Sequence, residues 1–240
     1  MTAAGISDEV LAMFELSNDL LIGKIKEDRY PYYVRESLNL GREAAKRLGA
    51  MWAGEREMAG EGPMAGTVDI FQMYEDAGIG IIYEEKSGEQ YGVSFRAQSE
   101  YGKDGSAKVL IYRQSIAELA RHSRDVELSE EEALQIHLAH EYFHYLEYHS
   151  SEIPDEKTMK VYDHGFVSDY LEPVELTRFL GRRRTGGILR CSEIAAHAFA
   201  KELTGVSILP NYFDYTYLMD TGRLREKDFL AQAERYGEMI

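Results

Sequence analysis

The sequence predicts an α+β fold. It has a small antiparallel sheet, a long helix carrying an H-E-x-x-H motif, a second helix placed to add a ligand, and N-terminal helices on the flank. Three observations carry this prediction. Residues 130–148 run without Gly or Pro behind a Ser129–Glu132 pair that has the form of a capping box. Short apolar runs between residues 79 and 114 are punctuated by turn residues. Residues 7–25 and 33–57 repeat apolar positions at helical spacing.

In chain order, Val10, Leu11, Phe14, Leu20 and Leu21 mark the first helix. Val34, Leu38, Leu40, Ala45, Leu48 and Trp52 form the stripe of the second. A Gly- and Met-containing break, Ala59 to Gly66, separates residues 1–60 from a main domain over 66–240. The helices of 1–60 pack on that domain or flank it. Residues 68–77 read as a helix ended by Gly78. Strands are predicted at Ile79–Tyr83, Tyr91–Ala97 and Lys108–Gln114, with turns at Glu84–Gly88 and Tyr101–Gly105. Leu128 and Ala133 can close a hydrophobic staple at the start of the long helix.

That helix holds the chemistry. His140 and His144 stand one turn apart on one face, so both can present a ring nitrogen to the same zinc ion. Glu141 lies beside them, placed to take a proton from a water that the ion activates. A third ligand is needed, since catalytic zinc usually takes three protein groups and keeps one position open. Glu147 and Ser150 occupy the places where one zinc-peptidase pattern needs Gly and a ligand, so that route fails. His149 points off the ligand face. Glu193 is the better candidate, on the Ala-, Leu- and Glu-rich stretch Cys191–Leu203 that reads as a helix. His197 shares its face, either as support for the ligands or as a ligand in place of Glu193. The plain alternative for Glu193 is a surface glutamate.

The strings Leu138-Ala-His-Glu-Tyr-Phe-His144 and Glu193-Ile-Ala-Ala-His-Ala-Phe-Ala-Lys-Glu-Leu203 resemble the ImmA/IrrE family of metallopeptidases. Val68 to Ile82 resembles that family's helix running into its first strand, so the likeness spans roughly residues 66–210. The resemblance implies a zincin-like catalytic domain of gluzincin type. It implies His140, His144 and Glu193 as ligands and Glu141 as general base. It further implies a regulatory protein substrate, such as a transcriptional repressor. Two departures stand out. The family's Asn four residues past the glutamate is His197 here, and the gap between motifs is long, so residues 150–190 read as an insertion.

Within that insertion, Asp155–Tyr162 is polar, Phe166–Leu180 reads as a helix kinked near Pro173, and Gly181–Gly187 reads as a basic, flexible loop. Arg182–Arg184 is either a solvated turn or a docking point for an acidic partner, and flanking glycines would let the loop move as a lid. His164, beside Asp163, is a candidate to stabilise a tetrahedral intermediate. His137, three residues before His140, either supports a ligand or lines the cleft, or simply packs.

Composition narrows the function classes. The 240 residues hold 27 basic and 42 acidic side chains, for a net charge of −15. That balance argues against direct nucleic-acid binding, which relies on Lys and Arg at phosphates. The single cysteine, Cys191, permits no disulfide within the chain and suits a reducing cytoplasm. No secretory signal and no apolar run of membrane-spanning length is visible. The expectation is a cytoplasmic zinc endopeptidase acting on a protein substrate, with no membrane partner. Two other readings remain at this point: a non-proteolytic metal-binding or protein-interaction module of the same fold, and a zinc hydrolase of another substrate. Manganese or another divalent ion can also satisfy such ligands.

Overall fold

The computed structural model describes residues 5–58, 68–90, 93–102, 105–149, 167–179 and 182–240. The predicted break at 59–66, the polar run 155–162, Asp163 and His164 lie outside them.

Helix α1 (Asp8–Ser17) starts where the Ser7 side chain accepts from the Val10 amide, and it buries Leu11, Ala12 and Leu16 completely. It stops well short of residue 25. The Asn18 side-chain amide donates to the Phe14 carbonyl at 3.1 Å. Asp19 Oδ1 then accepts from the Leu21 amide at 2.7 Å, an Asx turn that competes with the helix. The chain leaves through a 3₁₀ turn at Ile22–Lys24, and Leu20, expected on the apolar stripe, is 96% exposed.

Helix α2 (Tyr30–Met58) follows its predicted stripe, with Val34, Leu38 and Ala45 buried and Leu40, Leu48 and Trp52 packed at the margin. Its main partner is α7 (Arg190–Thr204), the central helix, where Ile194, Ala195, Ala198 and Phe199 are at most 1% exposed. Gly41 makes the close approach possible. A Cβ at that position would lie 2.0 Å from the Ala195 carbonyl oxygen, so only glycine fits. Asp8 ties three helices together by accepting from Arg42 on α2 at 2.8 Å and from Lys201 on α7 at 2.7 Å.

Helix α3 (Ile70–Asp76) is capped by Asp69, which accepts from the Phe71 and Gln72 amides, and it ends at Gly78 with φ +67°. Strands β1 (Gly80–Glu84), β4 (Ala97–Tyr101) and β5 (Ala107–Tyr112) form one sheet in the order β1-β5-β4. This corrects the purely antiparallel expectation. β4 and β5 are joined by a tight turn and run antiparallel, but β1 returns to the far side of β5 and pairs with it in parallel. The predicted single strand at 91–97 is also divided. Arg96 bends the chain between β3 (Val93–Phe95), which pairs with β2 (Gly88–Gln90) in a separate hairpin, and β4.

Helix α4 (Arg113–Arg121), α8 (Asn211–Asp220) and α9 (Glu226–Gly237) have no counterpart among the predicted elements. α5 (Glu130–His149) begins at the predicted box: Ser129 Oγ accepts from the Glu132 amide at 3.1 Å, and Glu132 accepts from the Ser129 amide at 2.8 Å. Rings of Phe143 and Phe199, 5.4 Å apart, pack α5 on α7. The helix expected across 166–180 is replaced by the single turn α6 (Val167–Tyr170) and strand β6 (Val174–Phe179). Pro173 stops the turn, and the Val174-Glu-Leu-Thr stretch then suits a strand. The expected loop 181–187 is strand β7 (Arg182–Gly186), paired antiparallel with β6, so a hydrogen-bonded strand pair stands where a basic, flexible loop was expected. Arg182–Arg184 are exposed along it, and Arg183 meets Glu175 at 3.0 Å. Among the described residues, no helix is long and apolar enough to cross a membrane.

The Gly41 contact yields a stability test. Gly41→Ala must push α2 away from α7, an overpacking that costs about 3 kcal/mol. A urea melt should show a lower midpoint with an unchanged slope.

Candidate metal centre

α5 and α7 cross so that His140, His144 and Glu193 converge, with one ligand atom from each lying within 4.8 Å of the others. His140 Nε2 is 3.1 Å from His144 Nε2 and 3.3 Å from Glu193 Oε2, and His144 Nε2 is 3.7 Å from Glu193 Oε1. Two nitrogens bound to one tetrahedral zinc at ~2.05 Å would stand about 3.3 Å apart. The spacing therefore fits a metal ion, and the group can hold one. Glu193 lies in the first turn of α7, where the partial positive charge of the helix end favours a carboxylate.

Electrostatics point the same way. Burial works against a charged His144, yet hydrogen bonds to Glu147 and Glu193 and their charges push its pKa up to about 10. Burial would raise Glu193, but its hydrogen bonds to His140 and His144 hold it far below the usual carboxylate range. The cluster thus draws positive charge into itself, which a proton or a metal cation can supply.

His144 is oriented from behind. Its Nδ1 lies 3.1 Å from Glu147 Oε2, which leaves Nε2 facing the cluster. Glu147 is 1% exposed, and its second oxygen accepts from the Val167 amide at 2.7 Å. Ser192, next to Glu193, donates its hydroxyl to the same carboxylate. One buried carboxylate thereby links α5, α6 and the start of α7. Sequence reasoning considered Glu147 only as a failed glycine position. Its spacing of three residues from His144 was the available signal, since that places both on one side of the helix.

Glu141 turns toward the sheet, where Ser99 on β4 donates to its Oε2 at 2.5 Å. Nothing in the sequence singled out Ser99. His197 packs its ring 4.6 Å from that of His140, and its buried Nδ1 has no hydrogen-bond partner. Burial, followed by the charge of His140, pushes His197 well below its ordinary pKa, so it stays neutral. It stands outside the converging trio. His137 lines the adjoining cleft of 340 Å³, together with Arg96, His140, Glu141 and Glu193. Its Nδ1 is 2.7 Å from the Ala133 carbonyl. Burial, then the charge of Arg96, push its pKa down to about 4. Glu15 and Arg190, paired at 2.8 Å, also border the cleft, and burial raises the Glu15 pKa despite that partner.

Two measurements probe these supports. Glu147→Gln should weaken metal binding by about tenfold or more, read by competition with a chelator of known affinity. The low pKa of His137 sets a pH window. Its unfolded form protonates near 6.5 and its folded form near 4, so its contribution to stability is complete above 6.5 and drains away as pH falls toward 4. Urea midpoints of metal-free protein at pH 7 and pH 5 should differ less in His137→Leu than in wild type.

Comparisons with protein-family models, with curated proteins and with solved structures gave no match, so the inference about this centre rests on its geometry and its residues.

Proposed function

We propose that the protein is a zinc-dependent endopeptidase of the ImmA/IrrE type that cuts a peptide bond in a specific regulatory protein of the cytoplasm. One observation carries this reading. A three-ligand cluster lies beside a carboxylate, Glu141, that is fixed by a neutral donor and faces an open cleft. A purely structural metal site closes its coordination and has no use for such a group.

Bound zinc supplies Lewis acidity, which eases deprotonation of water and polarises a carbonyl. The chain's own residues do the rest. Glu141 takes the proton of the attacking water and returns it to the departing nitrogen. The Ser99 hydroxyl fixes one oxygen of that carboxylate and leaves its second oxygen for the proton. β4 borders the sheet on the side of α5, and among the described residues nothing pairs with its outer edge. An extended peptide added there would run past Glu141 and be held mainly through its backbone.

The test joins metal content to cleavage. Protein purified without chelator should hold about one zinc per chain, lost in His144→Ala and in Glu193→Ala. Glu141→Gln should keep its zinc and cut a mixture of proteome-derived peptides at least 100-fold more slowly than wild type. Equal cleavage by zinc-loaded Glu141→Gln would sink the reading.

A further inference from the structure

Basic side chains are the minority in this sequence, 27 against 42 acidic ones, yet three stand in succession on β7. Arg182, Arg183 and Arg184 are all exposed. Side chains alternate along a strand, so Arg182 and Arg184 share one face, about 7 Å apart, and Arg183 takes the other. Arg183 is met by Glu175 across the strand pair. Among the described residues no carboxylate pairs with Arg182 or Arg184. One charge is enough to discourage edge-to-edge pairing of a strand. Two unpaired guanidiniums on one face, in a chain of net charge −15, go beyond that need.

The same face adjoins the loop after α1. Gly186 shares the side of Arg182 and Arg184, and a Cβ there would stand 3.2 Å from Cδ1 of Leu21 and of Leu176. Asp19 joins this loop to α7. Its Oδ2 accepts from the Arg190 amide at 2.9 Å and its Oδ1 from the Leu21 amide at 2.7 Å. Beside that joint stand Leu20 and Leu189, 96% and 69% exposed, the two most exposed large apolar side chains among the described residues. Arg190 itself borders the metal cleft. Arg184 precedes it by six residues, a span of at most about 20 Å. The strand pair is also held in register with the metal centre. Val167 before it and Ser192 after it both bond Glu147, the carboxylate that orients His144.

We infer that the Arg182–Arg184 face of β7, with Leu20 and Leu189, is a docking surface for an acidic segment of the protein substrate that lies to one side of the scissile bond. This rests on the peptidase reading above. The segment is extended, because carboxylates at alternate positions of a strand repeat at the ~7 Å spacing of the two guanidiniums. An apolar residue between those acids and the cut covers the two leucines. A basic segment would be repelled at β7, and a neutral one would leave both charges unanswered. A nucleic acid would supply phosphates but nothing apolar, and its continuous charge would meet the acidic remainder of the chain. A short acidic segment carries its charge only where the arginines stand. Charge pairs at the rim of an interface contribute more to the choice of partner than to its affinity, so this surface selects which proteins present a bond to the metal.

Cleavage of the proteome-derived peptide mixture, well below saturation, separates the outcomes. Zinc-loaded wild type should cut fastest those peptides with acidic residues at two alternate positions within about eight residues of the cut, on one side of it. Replacing those two acids by lysine in the best-cut peptide should lower kcat/KM at least tenfold, and a variant carrying Arg182→Glu and Arg184→Glu should reverse the preference. A shortened peptide that ends before the acids should be cut equally by wild type and variant. Leu20→Ser with Leu189→Ser should slow cleavage of the longer peptide alone. Wild type that shows no acidic bias overturns the docking surface and leaves the peptidase reading standing. A bias that survives charge reversal overturns the assignment to β7. A charge-reversed variant equally slow on the shortened peptide acts through the metal centre and overturns the assignment as well. Oligothymidylate that binds wild type and not the charge-reversed variant, with peptides cut without bias, overturns the acidic segment in favour of a nucleic acid. Zinc-loaded wild type that cuts no peptide overturns both readings together.

Discussion

Three groups that each offer a lone pair meet at the crossing of α5 and α7, two of them through nitrogens only 3.1 Å apart. Lone pairs at that distance repel unless something positive lies between them. The high pKa of His144 and the low pKa of Glu193 express this need in the metal-free chain, where protons answer it. A metal cation can answer it as well, and much of the surrounding structure serves to keep the three groups from moving apart. Gly41 lets α2 press directly on the backbone of α7, which fixes where Glu193 starts. The Phe143–Phe199 contact fixes α5 against the same helix. Glu147 then locks the ring of His144, and through Ser192 it reaches the residue next to the third ligand.

What could be read in the sequence is whatever a single element specifies by itself. His140, Glu141 and His144 need only one helix to share a side, and the Ser129–Glu132 box announces where that helix begins. α4 escaped because it starts directly after β5 at Tyr112 with no side-chain cap, so no start signal exists. α8 likewise begins behind Pro210 without a capping side chain. The parallel pairing of β1 with β5 is a matter of strand order, about which alternation along a strand is silent. The Gly181–Gly187 stretch misled because its glycines and arginines have loop composition, while its strand character comes from pairing with β6.

The supports of the site were hidden for a different reason. Glu147 on a helix that also carries Glu130, Glu131 and Glu132 looks like another solvated acid, and only the arrival of Val167 and Ser192 buries it. Ser99 and Arg96 sit on or beside a strand, and nothing in their local sequence tells which helix they will face. Such residues acquire meaning from contacts between distant segments, and those contacts are what a single sequence conceals. The ligands belong to motifs. Their second partners belong to the fold.

Glu141 and Glu193 show how two carboxylates in one cleft come to different surroundings. Glu193 is met by two imidazoles, both of which favour its charged form and hold it where an ion would be shared. Glu141 is met by the hydroxyl of Ser99, a neutral group that orients an oxygen without tying up its charge. A carboxylate that must bind a cation is best surrounded by groups that bind the same cation. One that must accept and return a proton needs a fixed direction and one oxygen left unclaimed. The difference arises from which element each faces, α5 for Glu193 and β4 for Glu141. The contrast in surroundings is thus built into the way the sheet and the two helices enclose the cleft.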